Sequence, residues 1–267
     1  MSNIRRVMTL GLALLVALAL AAPALAQGAG EAQVRVAHLS PDAPNVDVYV
    51  NGEPALTDVP YTTISEYLPL PAGTQQVTVY AAGDTTTPVI DAPVEVAAGG
   101  AYTVAAVGLV ADGSLTAQVY EDDLAAPSEG NSKLRVVHAS PDAGPVDIVP
   151  EGGDPLVSGL EFPNASSYAE VPAGTYTLDV NAAGTNQTAL TVPDAALAEG
   201  GTYSAFAVGT VYADSLQVLL VQDNAAAGAT APELADTGGS TWLPLTAALA
   251  LTLSGVLALA LVRRSAA

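Results

Sequence analysis

The chain has 267 residues, contains no cysteine, and carries 27 aspartate and glutamate residues against seven lysine and arginine residues. The lack of cysteine excludes a disulfide framework and a thiol nucleophile. The acidic surface repels phosphate backbones, so no nucleic-acid partner is expected.

The N-terminus has the pattern of a secretory signal peptide. Arg5 and Arg6 precede an apolar run at 7–22, and an Ala-x-Ala pattern ends at Ala26. A basic start, an apolar middle and small residues at alternate positions predict a signal peptide over 1–26, cleaved between Ala26 and Gln27. The alternative is an uncleaved membrane anchor, for which the run is short.

The middle of the chain contains two copies of one sequence. VRVAHLSPDA at 34–43 reappears as LRVVHASPDA at 134–143, PAGT at 71–74 as PAGT at 172–175, and GGxY at 99–102 as GGxY at 200–203. Matches that keep their order over about 90 residues indicate a domain duplication.

Each copy has the sequence pattern of a β domain. Short alternating runs rich in β-branched residues predict strands in the first copy at 33–39, 46–50, 76–80, 89–96, 102–109 and 115–120. Asn-Gly and Gly-Gly pairs separate them as turns. We therefore predict an all-β protein with two tandem immunoglobulin-like or transthyretin-like β-sandwich domains of roughly seven strands each, at 27–123 and 133–224, joined by a linker at 124–132.

The C-terminal part predicts an anchor. A stalk at 225–241 leads to an uncharged run at 242–262 and a basic tail at 263–267. At about 1.5 Å per residue, such a helix matches the ~30 Å hydrocarbon core of a membrane. Basic tails stay in the cytoplasm, which places residues 27–241 outside the cell.

The end of the stalk resembles a cell-wall sorting signal of Gram-positive bacteria. It contains Leu234, Ala235, Asp236, Thr237 and Gly238, followed by the apolar run and the basic tail. The resemblance implies that a sortase cleaves the bond between threonine and glycine and joins the threonine to peptidoglycan. Alanine stands at 235 where proline is usual, as in a variant used by some actinobacterial sortases. If no sortase acts, the helix itself remains as the membrane anchor.

The duplicated segment also resembles a known family. The start VRVxHxSPDAxxVD, the turn PAGT and the strand GGxYxxxxVG are similar to the bacterial domain of unknown function numbered 4397. The resemblance covers both copies, about 190 residues, and implies exported proteins that often have tandem copies and wall or membrane anchors. It implies no activity and no catalytic residues.

The two histidines of the chain stand at equivalent places and define the candidate ligand-binding residues, which are His38, Asp42 and Asp47 in the first copy and His138, Asp142 and Asp147 in the second. A histidine beside carboxylates suits a ligand, a proton or a metal. One histidine per domain is poor for zinc, which usually takes three protein ligands at a catalytic site. The structural alternative is that Ser-Pro-Asp forms a turn and the histidine hydrogen-bonds to it. A Ser-His-Asp hydrolase is disfavoured because Ser40 lies only two residues from His38 and no nucleophile elbow occurs.

A cluster of acidic residues ends the first copy at 121–123. Its carboxylates suit Ca²⁺ at the domain junction, and the alternative is a solvated strand end.

Together these features predict a non-catalytic cell-surface protein without a cofactor, which presents tandem β domains for adhesion or envelope structure. The expected partners are sortase, peptidoglycan and an unidentified extracellular protein or carbohydrate. The alternative is a module that binds a small ligand, a cation or a carbohydrate at the His-Ser-Pro-Asp end of each domain.

Overall fold

The structure, a computed structural model, describes residues 30–224. The predicted signal peptide, stalk, sorting motif and transmembrane helix lie outside these residues. Within the described part there are sixteen β-strands and no α-helix, and no helix there could span a membrane.

Each repeat supplies eight strands. Those of the first repeat are β1 (Glu31–His38), β2 (Val46–Val50), β3 (Glu53–Val59), β4 (Leu68–Pro71), β5 (Gly73–Ala81), β6 (Pro88–Val96), β7 (Ala101–Val107) and β8 (Thr116–Asp122). Those of the second are β9 (Asn131–His138), β10 (Val146–Pro150), β11 (Val157–Leu160), β12 (Ala169–Pro172), β13 (Gly174–Ala182), β14 (Thr188–Leu197), β15 (Thr202–Val208) and β16 (Gln217–Gln222).

The strands of each repeat form two four-stranded sheets. In the first repeat the orders are β4-β1-β7-β8 and β3-β2-β5-β6, and the second repeat has the same arrangement as β12-β9-β15-β16 and β11-β10-β13-β14. The pairs β1–β7 and β9–β15 are parallel, and all other neighbouring pairs are antiparallel. For residues 30–224, the prediction of two all-β sandwich domains is confirmed.

Two strands of the first repeat, β3 and β4, were not predicted from the sequence. Both are edge strands with a single neighbour. Each contains proline, which weakens a strand prediction because proline cannot donate a ladder hydrogen bond. β4 is stabilised by antiparallel pairing with β1, in which Ala32 lies opposite Leu70. Tertiary pairing therefore overrides the weak local signal of these segments.

Strand alternation sends the side chains of β1 into two different cores. Val34 and Val36 pack in the core between the two sheets of the first repeat. Ala37 faces the other way, into a core that both repeats share. The buried members of this shared core are Ala37, Leu39, Ala105, Val107 and Tyr120 from the first repeat, with Val137, Ala139, Phe206 and Val208 from the second. The sheets β4-β1-β7-β8 and β12-β9-β15-β16 are therefore packed on both faces.

The segment between β8 and β9 is held by hydrogen bonds to the second repeat. Lys133 Nζ contacts a carboxylate oxygen of Asp123 at 2.7 Å and donates to the carbonyl oxygen of Ala125 at 3.1 Å. The backbone N–H of Gly130 donates to Glu199 at 2.9 Å. The connection is therefore tied to the domain that follows it.

Gly108, at the end of β7, combines two constraints. Its φ is +93°, and a Cβ placed there would collide with the backbone carbonyl of Ser114. Gly113, in the same loop, has a φ of +74° but open space around it. Comparing the two glycines therefore distinguishes the cost of backbone strain alone from the cost of strain together with a steric clash.

We expect Gly108→Ala to lower the free energy of unfolding by about 2–4 kcal/mol, because backbone strain and the clash add. Gly113→Ala carries strain alone and should cost about 1 kcal/mol. Urea denaturation of both variants measures the difference. Equal losses would contradict the steric argument.

Candidate functional site

The two histidines lie buried at the ends of β1 and β9 and hydrogen-bond to the loop that follows. His38 Nε2 lies 3.0 Å from the carbonyl oxygen of Pro44, and His138 Nε2 lies 3.1 Å from that of Gly144. The backbone N–H of Ser140 lies 3.3 Å from His138 Nδ1. Because Nδ1 of His138 accepts this hydrogen bond, Nε2 carries the hydrogen of the neutral ring and donates it to the carbonyl oxygen of Gly144.

Asp42 and Asp142 hold the loops that follow β7 and β15. The carboxylate of Asp42 accepts hydrogen bonds from the backbone N–H groups of Val110 and Ala111, both at 2.9 Å. Asp142 accepts equivalent bonds from Val211 and Tyr212, also at 2.9 Å. Burial opposes the charged form, but the bonds from Ala111 and Val110 hold the pKa of Asp42 below its ordinary value.

Asp47 and Asp147 join two other loops of each sandwich. Asp47 accepts from the N–H of Asp58 at 2.7 Å and from that of Gly83 at 3.1 Å. Asp147 accepts from Gly159 at 2.7 Å and from Gly184 at 2.8 Å. These carboxylates are thus engaged with backbone donors.

Asp42 and Asp142 lie in turns, whereas the two histidines, Asp47 and Asp147 lie in strands. All six are engaged with backbone groups at one end of each sandwich. No group of three or more histidine, aspartate or glutamate side chains within residues 30–224 is placed to hold a metal. Ser40 Oγ donates to the carbonyl oxygen of Gly108 at 2.8 Å. These contacts favour the structural interpretation of the His-Ser-Pro-Asp motif.

The acidic residues at the end of the first repeat contact protein cations. Asp122 is buried and forms an ion pair with Arg135, and Asp123 pairs with Lys133 at 2.7 Å. Asp122 is therefore neither a solvated strand end nor an open carboxylate for Ca²⁺.

Asp122 belongs to a buried cluster of four charges between the repeats, which we call the Arg–Asp cluster: Arg35, Asp122, Arg135 and Asp223. Arg35 Nη2 donates to Asp223 Oδ1 at 2.6 Å, and Arg135 Nη2 donates to Asp122 Oδ1. Both arginine side chains are 2% exposed and both aspartate side chains 0%. Each arginine lies in the first strand of its repeat, β1 or β9. The aspartate that it contacts belongs to the other repeat, where Asp122 ends β8 and Asp223 follows β16.

The surroundings of the cluster repeat the same two-fold pattern. Arg35 Nε donates to Thr103 at 2.8 Å, as Arg135 Nε donates to Ser204 at 2.7 Å. Each aspartate also accepts two hydrogen bonds from hydroxyl groups of its own repeat, at 2.6–2.8 Å. The donors are Tyr67 and Thr103 for Asp122, and Tyr168 and Ser204 for Asp223. Such reciprocal contacts define an isologous interface, here within one chain.

Two tyrosines complete the cluster as neutral donors. The guanidinium of Arg35 lies 4.9 Å from the ring centre of Tyr67, and that of Arg135 lies 4.8 Å from that of Tyr168. Burial raises the pKa of both tyrosines above the ordinary value, so each keeps its proton. Burial disfavours charge on Arg35, but the combined interactions with its neighbours, of which Asp223 contributes most, outweigh burial and hold the pKa of Arg35 above its ordinary value.

Sequence reasoning missed this cluster, although the sequence contains a signal for it. Only Arg35, Lys133 and Arg135 are basic between residues 27 and 241. Two of these three occupy equivalent positions inside an alternating apolar strand. A charge in such a position, present in both repeats, indicates a buried ion pair.

The fold and the reciprocal cluster define a tandem β-sandwich protein. A family model described as a domain of unknown function (DUF4397) matches residues 32–149 and 150–234, and the chain belongs to this family. The division between the two matches falls at the end of β10, whereas the strands of the second repeat begin at Asn131. No curated protein matches the chain.

Two solved structures show distant similarity. The Bacillus anthracis TIE protein has 13% identity and a TM-score of 0.22, with 68% of this chain and 34% of that one covered, so the match spans about a third of its length. A carbohydrate-binding module (CBMbc, family CBM26) of Eubacterium rectale Amy13K, solved with maltoheptaose, has 12% identity and a TM-score of 0.22, with 75% and 98% covered. At such TM-scores neither match supports a conclusion about fold or function.

We expect Asp122→Ala to lower the free energy of unfolding by about 3–5 kcal/mol, because it leaves Arg135 buried without its carboxylate. The neighbouring Asp123→Ala removes a partly exposed ion pair and should cost at most about 1 kcal/mol. Denaturant titration of the two variants tests this contrast. Similar small losses would show that the cluster does not stabilise the fold.

A second prediction concerns pH. Burial lowers the pKa of His38 and His138 below the ordinary value of 6.5, outweighing their hydrogen bonds to carbonyl oxygens. The unfolded chain therefore binds more protons than the folded chain just below pH 6.5. The contribution of the two histidines to stability is fully present above this pH. It is lost as the pH falls below it, by at most about 1.4 kcal/mol per pH unit and histidine.

The measurement is the free energy of unfolding across this pH range. The double variant His38→Gln, His138→Gln should flatten the slope, because these are the only histidines in the sequence and histidine is the side chain that ordinarily titrates here. An unchanged slope in the double variant would refute the assignment.

Proposed function

We propose that this protein displays its two β-sandwiches outside the cell as one rigid unit, in a non-catalytic role in adhesion or envelope structure. The stalk would be joined to peptidoglycan at Thr237 by a sortase, or held in the membrane by the helix at 242–262. An extracellular protein or carbohydrate would be the partner. Either an immunoglobulin-like or a transthyretin-like arrangement is compatible with this role.

The observation that carries the proposal is the interface between the repeats. Flexible tandem domains usually meet through small, polar contacts. Here a shared apolar core and the Arg–Asp cluster join the two sheets. Tyr120 adds a hydrogen bond from the first repeat to the carbonyl oxygen of Pro163 in the second, at 2.6 Å. A unit joined in this way resists bending, as a spacer or an adhesive head requires.

The charge distribution supports the proposed location. Acidic residues cover the middle of the chain and basic residues flank the two apolar ends, which is the arrangement of an exported, anchored protein. A high negative charge also keeps a displayed domain soluble.

Mass spectrometry of the cell-wall fraction tests the location. We expect a chain that starts at Gln27 and ends in an amide-linked Thr237. Thr237→Ala should move the protein from the wall to the membrane, whereas Thr241→Ala, just beyond the motif, should leave it in the wall.

Two other outcomes would count against the proposal. Wild-type protein with its full C-terminus, found in the membrane alone, would refute the sortase step but keep the membrane anchor. Soluble cytoplasmic protein that retains Met1 would refute surface display.

A further inference from the structure

The two sandwiches differ at the end where their histidines lie. In the second repeat a cavity of about 300 Å³ opens between the sheets, at the lower limit of small-molecule pockets. Its lining includes Val146, Val180, Leu190, Ala207 and Leu216, with His138 beside them. The corresponding space beside His38 is about 10 Å³, which holds roughly one water molecule.

Substitutions at equivalent positions accompany this difference. Leu190 pairs with Val180 as Ile90 pairs with Val79, so Ala189 is the counterpart of Val89. The loop after the histidine has Gly144 in place of Pro44. Both changes remove side-chain volume, and both Ala189 and Gly144 line the larger cavity. The larger cavity therefore lies where the sequences of the two repeats differ.

The wall of the cavity restricts the chemistry of a ligand. The ionisable groups that line it, His138 and Asp142, are engaged with backbone groups of the adjacent loops. The amides of Gln187 and Gln217 remain at the exposed rim. A carbohydrate would leave many hydroxyls unpaired against the apolar wall, and a cation would need several free oxygen ligands. An anion would meet a strongly acidic protein.

We propose that the second repeat binds a neutral, mainly apolar small molecule in this cavity, with a hydrogen-bonding group at the glutamine rim, and that the first repeat does not. This role goes beyond surface display and does not depend on it. The repeats would then have diverged, with both forming the shared scaffold and only the second carrying a binding site.

Photolabelling of the full chain with benzophenone, a neutral and apolar diaryl ketone, tests this proposal. On irradiation the ketone inserts into nearby C–H bonds, and peptide mapping locates the adducts. We expect saturable labelling on the peptides that contain 187–190 and 207–217. The equivalent peptides at 87–90 and 106–116 should remain unlabelled. Non-saturable labelling, or equal labelling of both repeats, would overturn the proposal.

Cavity-filling variants provide the second arm. Ala207→Leu fills the interior and should reduce labelling by about tenfold or more. Ala189→Leu narrows the mouth from an exposed position, so it tests the same point if Ala207→Leu fails to fold. The matched control is Val89→Leu in the first repeat, which should leave labelling unchanged. Labelling that persists in a folded cavity variant would overturn the proposal.

Discussion

The structure depends on the exchange of carboxylates between the two repeats. A guanidinium that is 2% exposed is stable only with a paired charge and satisfied hydrogen bonds. Arg35 and Arg135 each obtain a hydroxyl from their own repeat and a carboxylate from the other. Asp122 of its own repeat lies 3.6 Å from Arg35 Nε, but the shortest contact of each guanidinium with a carboxylate reaches the other repeat. The fold of each sheet face is therefore coupled to the presence of its neighbour.

Contacts between the repeats and contacts within each repeat together shape the two sandwiches. The sheets β4-β1-β7-β8 and β12-β9-β15-β16 are packed on both faces. Their strands therefore include runs in which every residue is buried, such as β15 (Thr202–Val208). The segment between β8 and β9 is tied to the second repeat, and the His-Ser-Pro-Asp motif holds the loops at one end of each sandwich. The repeated motif thus maintains the frame in both repeats, while the larger cavity of the second repeat is lined by Ala189 and Gly144, which differ from Val89 and Pro44 of the first.

Local pattern was sufficient to predict much of this architecture. Alternation and glycine turns predicted the all-β class, and the ordered motif matches predicted the duplication. The edge strands β3 and β4 were not predicted, because proline weakens their local strand signal and their stability comes from pairing with neighbouring strands. The Arg–Asp cluster was not predicted, because Arg35 and Asp223 lie far apart in sequence and an ion pair between repeats produces no periodic pattern in the local sequence. The cavity was not predicted, because the volume between two sheets depends on the packing of many side chains, which single differences such as Gly144 for Pro44 do not reveal.

The central claim is that the two repeats form one cooperative unit through their shared core and the Arg–Asp cluster. Differential scanning calorimetry of residues 27–233 tests it most directly. The account predicts a single transition in which the calorimetric enthalpy equals the van't Hoff enthalpy for the whole segment. Two separate transitions, one for each sandwich, would contradict it.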